Sequence, residues 1–252
     1  QEERSVDGRT TRTRHAVDGY GRATWTWEDG DTGVAGDERS TLRTYPTSGS
    51  ASAWILDGPA SEKVFAGTVT TDTDSCAVVG EARLYYDDAT SIETRPTQGR
   101  LTRLEQGYFG AACAGRGLTT TLRYVYAAAG NLIERYDPST GSGQGQRAEA
   151  YGYDGSWTRL LTVTNALSQT VTYAYYGVNG AAVTNTLGAV QPVGALKAVT
   201  DANQAVTMYG YDGLGRLTTV AGPPNGGGAT NLGQWSTVYA YRTAYTSAAG
   251  LP

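Results

Sequence analysis

The sequence predicts an all-β protein, a mostly antiparallel sheet of hairpins that forms either a twisted ribbon or a partly closed β-sandwich. Composition is the first reason, because the 252 residues include 34 Gly and 18 Tyr but only one Met and two Phe. Tyr favours strands and Gly marks turns, whereas good helix formers are scarce. The second reason is that no long segment carries a helical period, and the third is a recurrent turn signal.

The turn signal is the dipeptide Asp-Gly or Asn-Gly. A two-residue hairpin of type I′ needs positive φ at both central residues, which Asp and Asn tolerate and Gly takes freely. We therefore predict a tight hairpin at each site, and the eleven-residue spacing of the first three sites predicts a strand meander over residues 5–45. The dipeptides begin at Asp7, Asp18, Asp29, Asp57, Asp154, Asn179, Asp212 and Asn225.

A Tyr-x-Tyr doublet recurs in the C-terminal half of the chain. Residues two apart lie on one face of a strand, so each doublet places two rings on the same side. Repeated doublets predict an aromatic ladder across the sheet, with these faces turned inward. The doublets are Tyr124/Tyr126, Tyr151/Tyr153, Tyr173/Tyr175, Tyr209/Tyr211 and Tyr239/Tyr241.

The most specific motif lies in residues 199–220 and contains the run Tyr-Asp-Gly-Leu-Gly-Arg at 211–216. This motif resembles the tyrosine-aspartate (YD) repeat of Rhs and teneurin proteins, and weaker copies lie at 18–22, 126–132 and 153–155. The resemblance implies a long β-sheet ribbon that spirals into a hollow shell. In that family the shell encloses a toxin or, in teneurins, forms part of an adhesion ectodomain.

The resemblance also suggests how the chain is organised. Residues 40–118 look like the segment that precedes the repeats in large secreted bacterial Rhs proteins. We therefore predict an N-terminal β-meander and pre-repeat region over 1–118, continuous with a YD-repeat sheet over 119–252. The first residues, Gln1-Glu2-Glu3-Arg4, are typical of a mature product or a fragment, and the family implies a secreted or cell-surface location.

Charge and hydropathy exclude two classes of partner. The net charge of −4 and the pI of about 5.1 give no electrostatic reason to expect nucleic acid or an anionic membrane surface. No apolar run approaches the roughly 18 residues of a membrane-spanning helix. We expect neither partner.

The sequence offers no assembled catalytic constellation. With one histidine, His15, neither a His-based triad nor a multi-histidine metal site can form within one chain, and we interpret His15 as a strand residue. We predict no catalytic, cofactor-binding or metal-binding residues, no cofactor and no enzyme activity. Calcium binding by the acidic residues of 29–38 is an alternative to plain solvated turns.

Four further side chains have two interpretations each. Cys76 and Cys113 form either one disulfide or two small buried thiols, and their spacing does not decide between these. Trp25 and Trp27 share one strand face and have the chemistry to stack on sugars. We favour the interpretation that both rings pack the sheet, because other large apolar side chains are so few.

These observations predict a non-catalytic extracellular structural protein. In one form it is a wall segment of a larger Rhs-type shell, and in another it is a subunit that self-assembles through open sheet edges into a filament or surface layer. The alternative is a carbohydrate-binding cell-surface adhesin module. The expected partners are copies of the chain or the rest of a larger Rhs-type chain and, for an adhesin, glycans.

Overall fold

The computed structural model contains sixteen β-strands and no helix among the residues that it describes. These are residues 2–6, 8–50, 54–73, 77–109, 117–118, 120–137, 145–185, 187–222 and 237–241. Strand order in the sheet follows chain order, which makes the sheet open, and neighbouring strands run antiparallel. The predicted all-β, antiparallel, hairpin-rich fold is confirmed.

The strands are β1 (Glu2–Val6), β2 (Arg9–Val17), β3 (Ala23–Asp31), β4 (Arg39–Thr44), β5 (Ser61–Ala66), β6 (Val78–Tyr86), β7 (Leu101–Tyr108), β8 (Thr120–Tyr126), β9 (Leu132–Tyr136), β10 (Arg147–Tyr153), β11 (Leu160–Asn165), β12 (Thr170–Tyr175), β13 (Leu196–Thr200), β14 (Val206–Tyr211), β15 (Leu217–Ala221) and β16 (Thr237–Val238). The first four strands form the predicted meander.

The chain divides into two compact units, Gln1–Ala148 and Glu149–Pro252. The boundary that we propose from the sequence, at residue 118, lies between β7 and β8, and these two strands pair with each other. That proposed boundary therefore marks a change in sequence character rather than a break in the ladder.

In the first unit, the best-buried side chains follow one row across three strands. Ser40 on β4 is opposite Phe65 on β5, which is opposite Val78 on β6, and Phe65 and Ser40 are fully buried. The ring of Trp25 tilts against Phe65 with centroids 5.6 Å apart. The hydroxyl of Ser40 donates to the carbonyl of Gly67 and accepts from the amide of Val69, so this buried polar group is satisfied.

In the second unit, a small apolar cluster lies on the face opposite the tyrosines of β14. Met208 is the cross-strand partner of both Ala198 and Ala221, and these residues pack together. Tyr209 follows Met208 directly, so its side chain points to the other face. The buried Tyr176 donates its hydroxyl to the carbonyl of Tyr209 at 2.9 Å, and burial raises the Tyr176 pKa to about 12.

The prediction of two-residue type I′ hairpins was wrong at several of the eight sites. Asn179 and Gly180 both have the positive φ that a type I′ turn needs, but they lie within the long loop between β12 and β13, and Asp7 falls outside the described residues. At Asp18, Asp154 and Asp212, however, the following glycine does not have positive φ. The Asp-Gly at 29–30 lies inside β3, that at 57–58 lies outside any strand, and that at Asn225 falls outside the described residues.

Candidate functional site

The feature that recurs most often is the turn that closes the hairpins, and the turn at Asp212 shows its backbone geometry. The N–H of Asp212 donates to the carbonyl of Arg216, and the N–H of Gly215 donates to the carbonyl of Asp212, both at 3.0 Å. Gly215 has a φ of 78°. A type I turn followed by a left-handed residue is the usual three-residue hairpin loop, and its right-handed twist suits the flanking strands.

The carboxylate of Asp212 stabilises this turn by accepting hydrogen bonds from within it. Its Oδ1 accepts the amides of Leu214 and Arg216 at 2.9 Å each, and its Oδ2 accepts Nε–H of Arg216 at 2.7 Å. Asp18 makes the same three bonds, to the amides of Tyr20 and Arg22 and to Nε–H of Arg22. The Arg216 amide and guanidinium lower the pKa of Asp212, and the Arg22 guanidinium lowers that of Asp18 first of all.

We call this arrangement the Asx turn. Its first residue is Asp or Asn in six cases, whose Oδ1 accepts two amides of the loop. The seventh turn begins at Ala127 and has the backbone hydrogen bonds without a side-chain acceptor. The left-handed residue is glycine in some turns but Trp157, Ser168 or Gln204 in others. The turns begin at Asp18, Ala127, Asp154, Asn165, Asn185, Asp201 and Asp212.

A longer loop between β6 and β7 is closed by the same use of a carboxylate. Asp87 donates its N–H to the carbonyl of Arg100 at 2.8 Å, and its Oδ1 accepts the Arg100 amide at 2.9 Å. Its Oδ2 accepts the amides of Thr97, Gln98 and Gly99 at 2.7 to 3.2 Å. Burial alone would raise the pKa of Asp87, but these four amides outweigh it and the pKa is lowered.

A second recurring contact joins each of several hairpins to the hairpin before it. A tyrosine at the end of an even-numbered strand, or within three residues after it, donates its hydroxyl to a backbone carbonyl at or just before the start of the preceding odd-numbered strand. We call this contact the tyrosine clasp. The clasps are Tyr45 to Ala23 at 3.1 Å, Tyr86 to Pro59 at 3.2 Å, Tyr175 to Leu160 at 2.9 Å and Tyr241 to Leu217 at 2.9 Å.

Two clasps also cover an arginine of an Asx turn. The guanidinium of Arg22 lies 4.0 Å from the ring centroid of Tyr45, and that of Arg216 lies 4.5 Å from that of Tyr241. The same Asp–Arg turn and tyrosine therefore occur once in each unit. Stacking of arginine on tyrosine adds to the hydroxyl bond, and both contacts orient the turn.

The structure places four of the five predicted Tyr-x-Tyr doublets on the alternate strands β8, β10, β12 and β14, and the fifth, Tyr239/Tyr241, follows β16. The cross-strand partner of the first tyrosine of a doublet is therefore not another tyrosine. It is Val163 for Tyr151 and Val199 for Tyr173. The doublet residues from Tyr124 to Tyr211 are half-buried, while Tyr239 and Tyr241 are exposed. Two second members, Tyr175 and Tyr241, form clasps. The clasps of Tyr45 and Tyr86 lie outside the doublets, and no prediction from the sequence covered them.

Trp25 and Trp27 lie beside each other on one face of β3. Their rings are parallel, with an interplanar angle of 5° and centroids 5.8 Å apart. Trp27 also donates Nε1–H to the carbonyl of Val69 at 2.7 Å, and the guanidinium of Arg14 covers its ring. These internal contacts use the ring faces and the polar atom that a sugar would need, so the geometry favours packing over glycan stacking.

The remaining predicted side chains form no assembled chemical centre. His15 is an exposed residue of β2, and its Nδ1 lies 3.1 Å from the hydroxyl oxygen of Thr26. The carboxylate of Asp29 is held by Arg12 and Arg14, and the bond from Arg14 is the main cause of its lowered pKa. In the part of the chain that the structure describes, no three His, Cys, Asp or Glu side chains are grouped to hold a metal ion. Cys76 and Cys113 lie outside that part.

One groove, of about 650 Å³, runs along β5 to β8 and is lined by paired charges. Lys63 bonds Asp72 at 2.6 Å, and Arg83 bonds Glu81 at 2.9 Å. None of the described residues that line the groove is a histidine or a cysteine. Within the described residues, no helix has the length and apolar character needed to cross a membrane.

An antiparallel sheet whose hairpins are closed by Asx turns and linked by tyrosine clasps defines the class of the molecule, a β-sheet repeat protein. Residues 192–227 match the family described as RHS Repeat, and this segment contains β13 to β15 with the turns at Asp201 and Asp212. The resemblance to Rhs/YD-repeat proteins is thereby confirmed for this segment. No curated protein matches the chain.

One solved structure shares its fold. The crystal structure of TcdB2-TccC3 without its hypervariable C-terminal region is 11% identical, with a TM-score of 0.50, over 84% of this chain and 13% of that chain. The crystal structure of TcdB2-TccC3 is 11% identical, with a TM-score of 0.47, over 84% of this chain and 14% of that chain. The chain thus spans a small part of the length of either structure, and the likeness at this identity shows the fold alone.

Proposed function

We propose that the chain is a non-catalytic structural module that forms part of the wall of a larger Rhs-type protein, secreted or displayed at the cell surface. The observation that carries this proposal is the repetition of the same two contacts, the Asx turn and the tyrosine clasp, along the sheet. Six of the seven Asx turns are closed by an Asp or Asn side chain, and each tyrosine clasp ties a hairpin to the one before it.

The distribution of burial supports the same function. Few side chains are fully buried, and most strand residues are half-buried on both faces. Hydrogen bonds at the turns and clasps therefore supply order that a large apolar core would otherwise supply. Such a sheet is suited to extend by further hairpins, since each added hairpin brings its own fastening contacts.

The size of the native polypeptide tests this proposal. An antibody raised against a peptide from residues 192–227 should detect, in native secreted material, a polypeptide several times heavier than the 26.5 kDa chain. A native product of 26.5 kDa would overturn the wall module. Native material that is neither secreted nor surface-exposed would overturn the proposed location.

The second candidate is a subunit that self-assembles through its open sheet edges. β1 pairs with β2 on one side only, and all five of its residues are exposed. An unpaired strand edge can accept a strand from another copy. Light scattering and negative-stain microscopy of the purified chain distinguish the candidates, since extended polymers favour the filament and a monomer contradicts it.

A carbohydrate-binding adhesin is the alternative from another class. Its test is a glycan array with the wild-type chain and with variants Trp25→Ala and Trp27→Ala. A signal that both variants abolish, while circular dichroism shows that they remain folded, would support the adhesin. A signal that persists would show that these rings have no part in sugar binding.

A further inference from the structure

Two arginines lie directly opposite each other on β7 and β8. Arg103 and Arg123 are Cα partners in the antiparallel ladder, and the row continues to Tyr85 on β6 and to Tyr136 on β9. Like charges directly opposite on antiparallel strands destabilise the pairing. Their juxtaposition therefore calls for a counter-charge.

Two carboxylates on this face, those of Glu105 and Glu134, are engaged with other groups. Glu105 accepts the hydroxyl of Tyr85 at 2.9 Å, and its other oxygen lies 3.5 Å from Nε of Arg103. Glu134 accepts the hydroxyl of Tyr136 at 3.0 Å and an N–H of Arg147 at 3.3 Å. Neither carboxylate neutralises Arg123.

The two guanidiniums differ in how they are held. The guanidinium of Arg103 lies 3.7 Å from the ring centroid of Tyr85, which fixes its plane, and its buried Nε has no hydrogen-bond acceptor. The side chain of Arg123 is half-buried and has neither an ion pair nor a hydrogen bond with any residue that the structure describes. The plane of one guanidinium is therefore fixed, and the donors of the other are unused.

We propose that Arg103 and Arg123 form an oxyanion-binding site on this face of β7 and β8, which takes a carboxylate or phosphate group. A guanidinium presents paired N–H donors that match both oxyanions, and charge-assisted bonds of this kind are stronger than neutral ones. The bound anion supplies the charge that the ladder lacks. The site is independent of the proposed wall function.

Side-chain NMR of the full 252-residue chain tests the site. Inorganic phosphate and acetate are titrated separately, each against sodium chloride at matched ionic strength, while the Nε–Hε resonances of Arg103 and Arg123 are followed. The site predicts saturable shifts of both resonances, and the tighter of the two anions identifies the ligand chemistry. Equal shifts with chloride, or no saturable shift with either anion, would overturn the proposal.

Variants separate this site from general charge effects. Arg123→Gln should weaken binding about tenfold or more, and Arg123→Lys should weaken it less because the charge is kept without the fork. Arg39→Gln is the matched control, because it removes an exposed strand arginine of the same unit and should leave the affinity unchanged. Equal affinity in wild type and Arg123→Gln would contradict the site.

A stability measurement without anion keeps the test decisive if binding is weak. Arg123→Gln removes the like-charge opposition, so we expect its Tm without added oxyanion to equal or exceed that of the wild type. Added phosphate should then raise the wild-type Tm by several degrees more than that of the variant. A variant whose Tm is lower without anion, and which gains as much from phosphate, would overturn the proposal.

Discussion

The turn at Asp212 and the turn at Asp87 make the same closure over loops of very different length. Three residues separate Asp212 from Arg216, whereas the twelve residues 88–99 separate Asp87 from Arg100. In both turns the aspartate N–H donates to the arginine carbonyl, and Oδ1 accepts the arginine amide. The carboxylate, rather than the loop length, defines the closure, so the repeats tolerate irregular spacing.

The second carboxylate oxygen shows what changes when the loop grows. In the short turn, Oδ2 accepts the guanidinium of Arg216, and in the long turn it accepts three successive backbone amides. The long loop is also fastened to the loop between β4 and β5, where the amides of Thr47 and Ser48 donate to the carbonyl of Glu93. Insertions are therefore held by their neighbours as well as by their own aspartate.

Acid should remove the stabilisation by all these carboxylates at once, which is the largest effect that we expect. The pKa values of Asp18, Asp87, Asp154 and Asp212 are lowered in the folded chain, so each aspartate stabilises the fold above its unfolded pKa of about 3.9. This stability is lost as the pH falls through the lowered values. Urea midpoints should change little from pH 7 to pH 5 and drop clearly by pH 3. An equal midpoint at pH 7 and pH 3 would show that the turns do not depend on ionised aspartate.

Removing one carboxylate should have the next largest effect, and it should be larger in the long turn. Asp87→Ala leaves four backbone amides without their acceptor, so we expect a loss of about 2 kcal/mol in the free energy of unfolding. Asp212→Ala leaves two amides and one guanidinium without their acceptor. This turn is more exposed, so the loss in the free energy of unfolding should be smaller. Urea denaturation of both variants measures the difference. A greater loss in Asp212→Ala would reverse the comparison, and Asp57→Ala, outside any strand, is the control.

Removing a clasp hydroxyl should cost less than removing Asp87. Tyr175→Phe keeps the half-buried ring but leaves the carbonyl of Leu160 without this donor, for an expected loss of about 1 kcal/mol. Tyr173→Phe is the matched control, because Tyr173 lies on the same strand as Tyr175 and forms no clasp. Hydrogen exchange near Leu160 should accelerate in Tyr175→Phe alone. Equal behaviour of the two variants would show that the clasp contributes nothing to local stability.

The fold class and the repeat family could be predicted because they depend on composition and on short motifs. Turn type could not be predicted from Asp-Gly, since this dipeptide serves both turns: its Asp is the first residue of an Asx turn but a central residue of a type I′ turn. The residue that distinguishes them stands three positions after the aspartate, as Gly21 does after Asp18. Asparagine at 165 and 185 fills the same place, and a search for Asp-Gly passes over it.

The clasps could be predicted only in part, because they depend on the register between hairpins. Tyr175 and Tyr241 are second members of Tyr-x-Tyr doublets, and this position was the available signal. Tyr45 belongs to no doublet, and its contact with Ala23 depends on how β4 pairs with β3. Likewise, the opposition of Arg103 and Arg123 follows from pairing alone, and neither local sequence indicates it.

Substitutions at the left-handed position of the Asx turn should change the free energy of unfolding least, and the sign of the change should differ between two turns. Gln204 holds this position after Asp201 with a φ of 64°, whereas Gly215 holds it after Asp212. Gln204→Gly relieves a strain of about 1 kcal/mol but gives the unfolded chain more freedom, so we expect a net gain of about 0.5 kcal/mol. Gly215→Ala meets no atom closer than 3.7 Å and should lose about 1 kcal/mol through backbone strain alone. Both are read from urea denaturation at pH 7. Destabilisation by Gln204→Gly would mean that the glutamine makes a compensating contact, and the two turns would then be equivalent in backbone but not in side-chain role.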